Sequence, residues 1–117
     1  MLKTRCMIIN GCPMNMLAAI TIVLRYSIVR RQFHNTEGTE EETQLIDYQT
    51  QQMKIFPEMA KAMAFCIAND HMTNMLMKTL DQIEAENFDM LDIMHHYTAI
   101  FKSIQTQDSY EALDKLR

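Results

Sequence analysis

Arg25, Arg30 and Arg31 stand close together, and Gln32 and Phe33 follow them directly. A guanidinium is a permanent cation with a planar fork of donors that matches the oxygens of a phosphate. The amide and the aromatic ring beside it add a hydrogen-bonding group and a flat apolar face. Such a set suits a phosphate joined to an adenine ring. The same arginines have a plainer use, because cations near the C-terminal end of a helix complement its dipole. Residue types and spacing leave both readings open.

Little else in the chain points to chemistry. His95 and His96 are neighbours on a predicted helix and project about 100° apart, whereas helical metal pairs favour spacing i, i+4. His34 and His71 are isolated. No metal site is expected. Glu84, Glu86 and the acids at 40–42 read as solvated. There is no Ser-His-Asp pattern, no GxGxxG and no P-loop, and no carboxylate stands out as a general base. No catalytic residue is expected.

The elements that would carry these residues are helices. Two glycines and two prolines in 117 residues are too few turn formers for a many-stranded fold. Twelve methionines suit helices and irregular cores. A first helix is predicted over about 13–32, with Pro13 in its first turn and apolar residues around most of its circumference. Residues 2–9 could form an earlier turn of it, kinked at Gly11 and Pro13. A polar, acidic loop follows at 34–43. A second helix is predicted over about 44–86, with Leu45, Tyr48, Gln52, Ile55, Met59, Met63 and Ile67 on one face and a kink at Pro57. A third is predicted over about 89–105, with a stripe of Met90, Ile93, Met94, Tyr97, Ile100, Phe101 and Ile104. Residues 1–106 then form an up-down-up bundle, and 107–117 a frayed tail. A helix of some 40 residues would be about 60 Å long, so it needs a partner surface along its length. The apolar first helix would leave one flank bare, and a fourth helix is the simplest cover.

Composition narrows the classes. A net charge of −4 disfavours a general nucleic-acid binder. Cys6, Cys12 and Cys66 make an odd count without a CxxC pair, which suits a reducing compartment. The apolar run at 7–24 is interrupted by Asn10, Gly11, Pro13, Asn15 and Thr21, so membrane insertion is not expected.

Two strings carry a family resemblance. TIVLRYSIVRRQF at 21–33 and, after the acidic loop, QLIDYQTQQMKIFPEMAKAMAF at 44–65 closely resemble the peroxisomal acyl-CoA oxidases of the acyl-CoA dehydrogenase superfamily. A weaker likeness runs from Arg5 to about Ile104. The resemblance implies an all-α fragment of the C-terminal four-helix bundle of an FAD enzyme. Such enzymes desaturate fatty acyl-CoA between C2 and C3 and pass the electrons to oxygen, giving hydrogen peroxide.

By that resemblance Arg30 reaches the FAD pyrophosphate of a neighbouring, complete subunit, with Gln32 and Phe33 beside the adenosine. Tyr48 falls at another contact with the same cofactor, and Arg5 at a position near the bound acyl-CoA. The bundle is expected to pair as in the family's dimers, and the enzyme to reside in the peroxisome. His34 stands where dehydrogenases have glycine, the flavin-holding regions and the catalytic glutamate are absent, and the C-terminus has no SKL-type signal. The chain therefore reads as a fragment, inactive alone. The other reading is a non-catalytic helical module that pairs with full-length subunits.

Overall fold

The computed structural model describes residues 1–34 and 41–117. Three α-helices follow one another: α1 (Leu2–Val29), α2 (Gln49–Glu84) and α3 (Leu91–Leu116), with a 3-10 turn at Leu45–Asp47 before α2. They run up, down and up, with α1 between α2 and α3, which touch each other less. The molecule measures 74 × 19 × 16 Å, with a radius of gyration of 19.9 Å. A compact domain of this length would have about 13 Å.

Each helix buries a seam in which steps of three and four residues alternate. In α2 it is Ile55, Glu58, Ala62, Asn69, Met72, Leu76 and Thr79; in α1 it runs through Cys6, Ile9, Pro13, Met16, Ile20 and Ser27. In α3 it is Met94, Thr98, Gln105, Ser109 and Ala112. A mean step near 3.5 keeps a seam facing its partners, as in coiled coils. This corrects two predicted faces. The series Ile55, Met59, Met63, Ile67 advances by four residues, and each step turns about 40° past a full circle. Met63 and Ile67 therefore end up exposed. On α3 the predicted stripe divides: Met94 is buried and Phe101 packs on the core, while Ile93, Tyr97, Ile100 and Ile104 are each at least 40% exposed and the rest of the buried seam is polar or small.

The element boundaries also differ from expectation. Helix α1 starts at Leu2, with Pro13 buried inside it and not in its first turn. Proline has no N–H, so the carbonyl of Ile9, four residues earlier, loses its usual donor. The Asn69 amide supplies one, Nδ2 donating to Ile9 O at 2.9 Å. Asn69 and Gln105 also bond each other reciprocally, at 2.7 and 3.1 Å. This buried junction ties all three helices together. It separates one apolar cluster around Met16, Ile20, Ile55, Ala62 and Ala112 from another around Cys6, Met72, Leu76 and Met94.

Helix α1 ends at Val29, short of the predicted 32, because Arg30 turns extended (φ −75°, ψ 128°). Of the predicted loop, residues 35–40 lie outside the described residues. Helix α2 starts five residues later than predicted, since Gln44 and Tyr48 are extended and the 3-10 turn lies between them. It runs through Pro57 unbroken. It ends in a Schellman motif, with Asn87 N donating to Gln82 O and Glu86 N to Ile83 O, and Glu86 left-handed at φ 60°.

Helix α3 continues to Leu116, so residues 107–116 are helical where a frayed tail was expected. Ser109 and Ala112 are buried, Leu116 packs on the core, and Lys115 Nζ donates to Glu58 Oε1 at 3.0 Å. Helix α1 also has the length and apolarity of a membrane span. The core helix of a bundle has the same character.

Candidate functional site

The arginine-rich end of α1 meets the start of α2 through a short antiparallel contact. Arg31 bridges Gln44, Gln32 N donates to Thr43 O at 2.9 Å, Thr43 N to Phe33 O at 2.8 Å, and Leu45 N to Arg30 O at 2.9 Å. The hydroxyl of Tyr48 donates to Gln32 O at 2.7 Å. One turn back, Gln51 Nε2 donates to the oxygen of buried Ser27 at 3.1 Å. These bonds hold the backbone of residues 30–33 from both sides. Phe33 sits at φ 59°, a left-handed conformation that costs a non-glycine residue about 1–2 kcal/mol.

The three arginines have different surroundings. The Arg31 guanidinium donates to Glu42 O at 2.9 Å and lies 3.6 Å from the Glu41 carboxylate, so it closes the local structure. Arg25 and Arg30 are exposed and, among the described residues, have no side-chain hydrogen bond or ion pair. Phe33 is 69% exposed beside them, and Val29 81%. The helix dipole here is negative at its end and disfavours an anion. Any anion bound at this place would depend on the guanidinium.

The structure thus brings Gln32, Phe33 and Tyr48 together around the backbone of Arg30. Arg5 is elsewhere. It lies 25 residues back along α1, roughly 37 Å away at 1.5 Å per residue. Its Nη1 approaches both ring nitrogens of His95 at 3.4 Å, long for a hydrogen bond, so the guanidinium rests against the ring without being locked. His96 leans on Tyr97, with ring centroids 6.2 Å apart.

One charged group escaped the sequence reading. Glu58 is only 4% exposed, with Lys115 Nζ 3.0 Å from Oε1 and Lys61 Nζ 3.2 Å from Oε2. Lys61 also reaches Asp108 at 3.8 Å. Burial pushes the Glu58 carboxyl up, but the two lysines outweigh it and hold it below the usual carboxylate range. Its place on the seam, three residues from Ile55 and four from Ala62, was the available signal. Its contacts with Lys61 of α2 and Lys115 of α3 make it a clamp between the two helices.

Comparison with known proteins gives a consistent result. The family described as the acyl-CoA oxidase C-alpha1 domain matches residues 1–117. Acyl-coenzyme A oxidase 1 of Drosophila melanogaster is 35% identical over the whole chain, and peroxisomal acyl-coenzyme A oxidase 1 of Rattus norvegicus 31%. The chain spans 17% and 18% of those two proteins. Acyl-CoA oxidase 1 of Arabidopsis thaliana superposes with a TM-score of 0.90 at 32% identity, covering 98% of this chain and 17% of that one. Acyl-CoA oxidase-1 of Caenorhabditis elegans, solved with FAD and ATP, superposes with a TM-score of 0.92 at 29% identity and the same coverage.

Proposed function

This chain belongs to the acyl-CoA oxidase family, as its C-alpha1 domain, and from that premise we propose that it supplies bundle packing and one edge of an FAD site to a peroxisomal acyl-CoA oxidase assembly. The reaction served is the conversion of fatty acyl-CoA to trans-2-enoyl-CoA with transfer of two electrons to oxygen. FAD bound mainly by a complete neighbouring subunit supplies the redox chemistry. Arg30 holds its pyrophosphate, Gln32 and Phe33 border the adenosine, and Tyr48 fixes the backbone that presents them. Arg5, at the far end of α1, belongs to the acyl-CoA side.

One observation carries this reading: of two adjacent arginines, Arg31 is engaged by Glu41 and Glu42 while Arg30, among the described residues, projects unpaired beside an exposed aromatic ring. A pyrophosphate with an attached flat base fits that pair of groups. Arg30→Ala, made at the matching position of a complete family member, should lower FAD affinity about tenfold or more, since a charge-assisted hydrogen bond is worth roughly 1.5–3 kcal/mol. Flavin absorbance retained after gel filtration reports it. Retention equal to that of the unaltered enzyme would exclude the role.

A second reading has its own support. Each helix keeps an exposed apolar stripe besides its buried seam: Met7, Met14, Ile22 and Val29 on α1, and Met53, Phe56, Met63 and Ile67 on α2. A non-catalytic module that pairs with full-length subunits would use such faces. Co-purification with an intact oxidase whose FAD content is indifferent to Arg30 would favour it.

A further inference from the structure

A second cationic feature lies away from Arg30, beside the N-terminal part of α1. Arg5 of α1 and Lys102, Ser103 and Thr106 of α3 line one shallow depression of about 410 Å³. No carboxylate lines it, although the chain as a whole carries a net charge of −4. The next acid along α3, Asp108, lies 3.8 Å from Lys61. Among the described residues the Lys102 ammonium has no hydrogen bond or ion pair, and the Ser103 hydroxyl has no partner. The Thr106 hydroxyl differs, since it donates to Lys102 O at 2.7 Å and has no proton left to offer. Arg5 is held only loosely, by long contacts with His95 and with the Met1 sulfur at 4.0 Å.

Two unneutralised cations from different helices and one free hydroxyl donor therefore converge on a solvent-open hollow. Arginine offers a fork and lysine a point charge, a combination suited to the oxygens of a phosphoryl group. We propose that Arg5, Lys102 and Ser103 form a subsite for a phosphoryl group, and that its source is the coenzyme A half of an acyl-CoA. The proposal deepens the assignment of Arg5 to the acyl-CoA side and rests on it. It adds Lys102 and Ser103, which no sequence motif marks.

Calorimetric titration of the full chain with coenzyme A, pantetheine and inorganic phosphate tests it, with helical circular dichroism recorded for every variant. Lys102→Gln should weaken coenzyme A binding about tenfold and Ser103→Ala less, with pantetheine unaffected and Lys102→Arg restoring most of the affinity. Weakening by Arg5→Gln but not by Lys102→Gln would overturn the subsite and leave the Arg5 assignment standing. Unchanged affinity in both variants would overturn both. Phosphate binding that needs Lys102, in a chain that does not bind coenzyme A, would support the anion subsite and identify free phosphate as its source. Absence of binding by all three ligands would overturn the proposal.

Discussion

Glu58 shows how one side chain can hold the end of a helix. Its carboxylate is almost out of water, and two lysines make that tolerable. Removing one partner of a buried charge pair costs more than the pair contributes, because the remaining charge stays desolvated. Here both lysines retain solvent, with 30% and 54% of their side-chain surface exposed, which softens the cost. Glu58→Gln should therefore destabilise the fold by about 1–3 kcal/mol at pH 7. The folded carboxyl lies below its ordinary range, so its stabilisation is complete above the unfolded value and is lost as pH falls through the folded one. The gap in melting temperature between wild type and Glu58→Gln should be wider at pH 7 than at pH 3, which lies below the ordinary carboxylate range. Equal gaps at both would contradict the clamp. At the same scale, Arg30 and Arg31 are indistinguishable as types, and only the acceptors around Arg31 separate them.

At the scale of the elements, α1 depends on a repair. Pro13 takes away the donor for Ile9 O, and Asn69 returns one from another helix while it pairs with Gln105. Asn69→Ala would leave the Ile9 carbonyl and both ends of the Gln105 amide without this partner, at a cost of about 2–4 kcal/mol. Pro13→Ala restores a main-chain donor to Ile9. The two substitutions should therefore be non-additive, with Asn69→Ala costing at least 1 kcal/mol less in the Pro13→Ala background. Denaturant titration of the four proteins measures this, and strict additivity would mean that the amide serves Gln105 alone. The end of α2 makes a simpler case. Glu86 occupies a left-handed position that glycine adopts without strain, so Glu86→Gly should stabilise by about 1 kcal/mol in the same titration.

The whole molecule is a narrow three-helix rod with large apolar side chains on its outside. Ile22, Met63, Ile67, Met14 and Ile104 are all more than half exposed. Covering one such side chain is worth roughly 1.5–3 kcal/mol, so a rod with many of them gains by association. On α1, Gly11 has open space where a side chain would stand, and Ala18 is exposed one heptad on, leaving room for a close neighbour between Met7, Met14 and Ile22. The chain in isolation should sediment as a dimer or larger at micromolar concentration. Ile22→Lys should shift it toward monomer without loss of helical signal. A strictly monomeric wild type in analytical ultracentrifugation would show that these faces do not drive association.

The all-helical class, the three-helix count and the family strings were legible from residue types alone, because helix propensity, sparse turn formers and local motifs are properties of short stretches. So was the grouping of Arg30, Gln32 and Phe33, which are contiguous. The faces were not. A buried seam that carries Glu58, Asn69, Thr98 and Gln105, beside stripes that expose isoleucine, inverts the usual correspondence between apolarity and burial. Whether a polar group is buried depends on a partner distant in sequence, such as Ile9 for Asn69 or Lys115 for Glu58. The same holds for the extent of α3, whose last turns pack on residues of α1 and α2 far away in sequence, Lys115 reaching Glu58 across 57 positions. Only the packed assembly of the three helices brings those partners within reach, and it alone decided which arginine was left free.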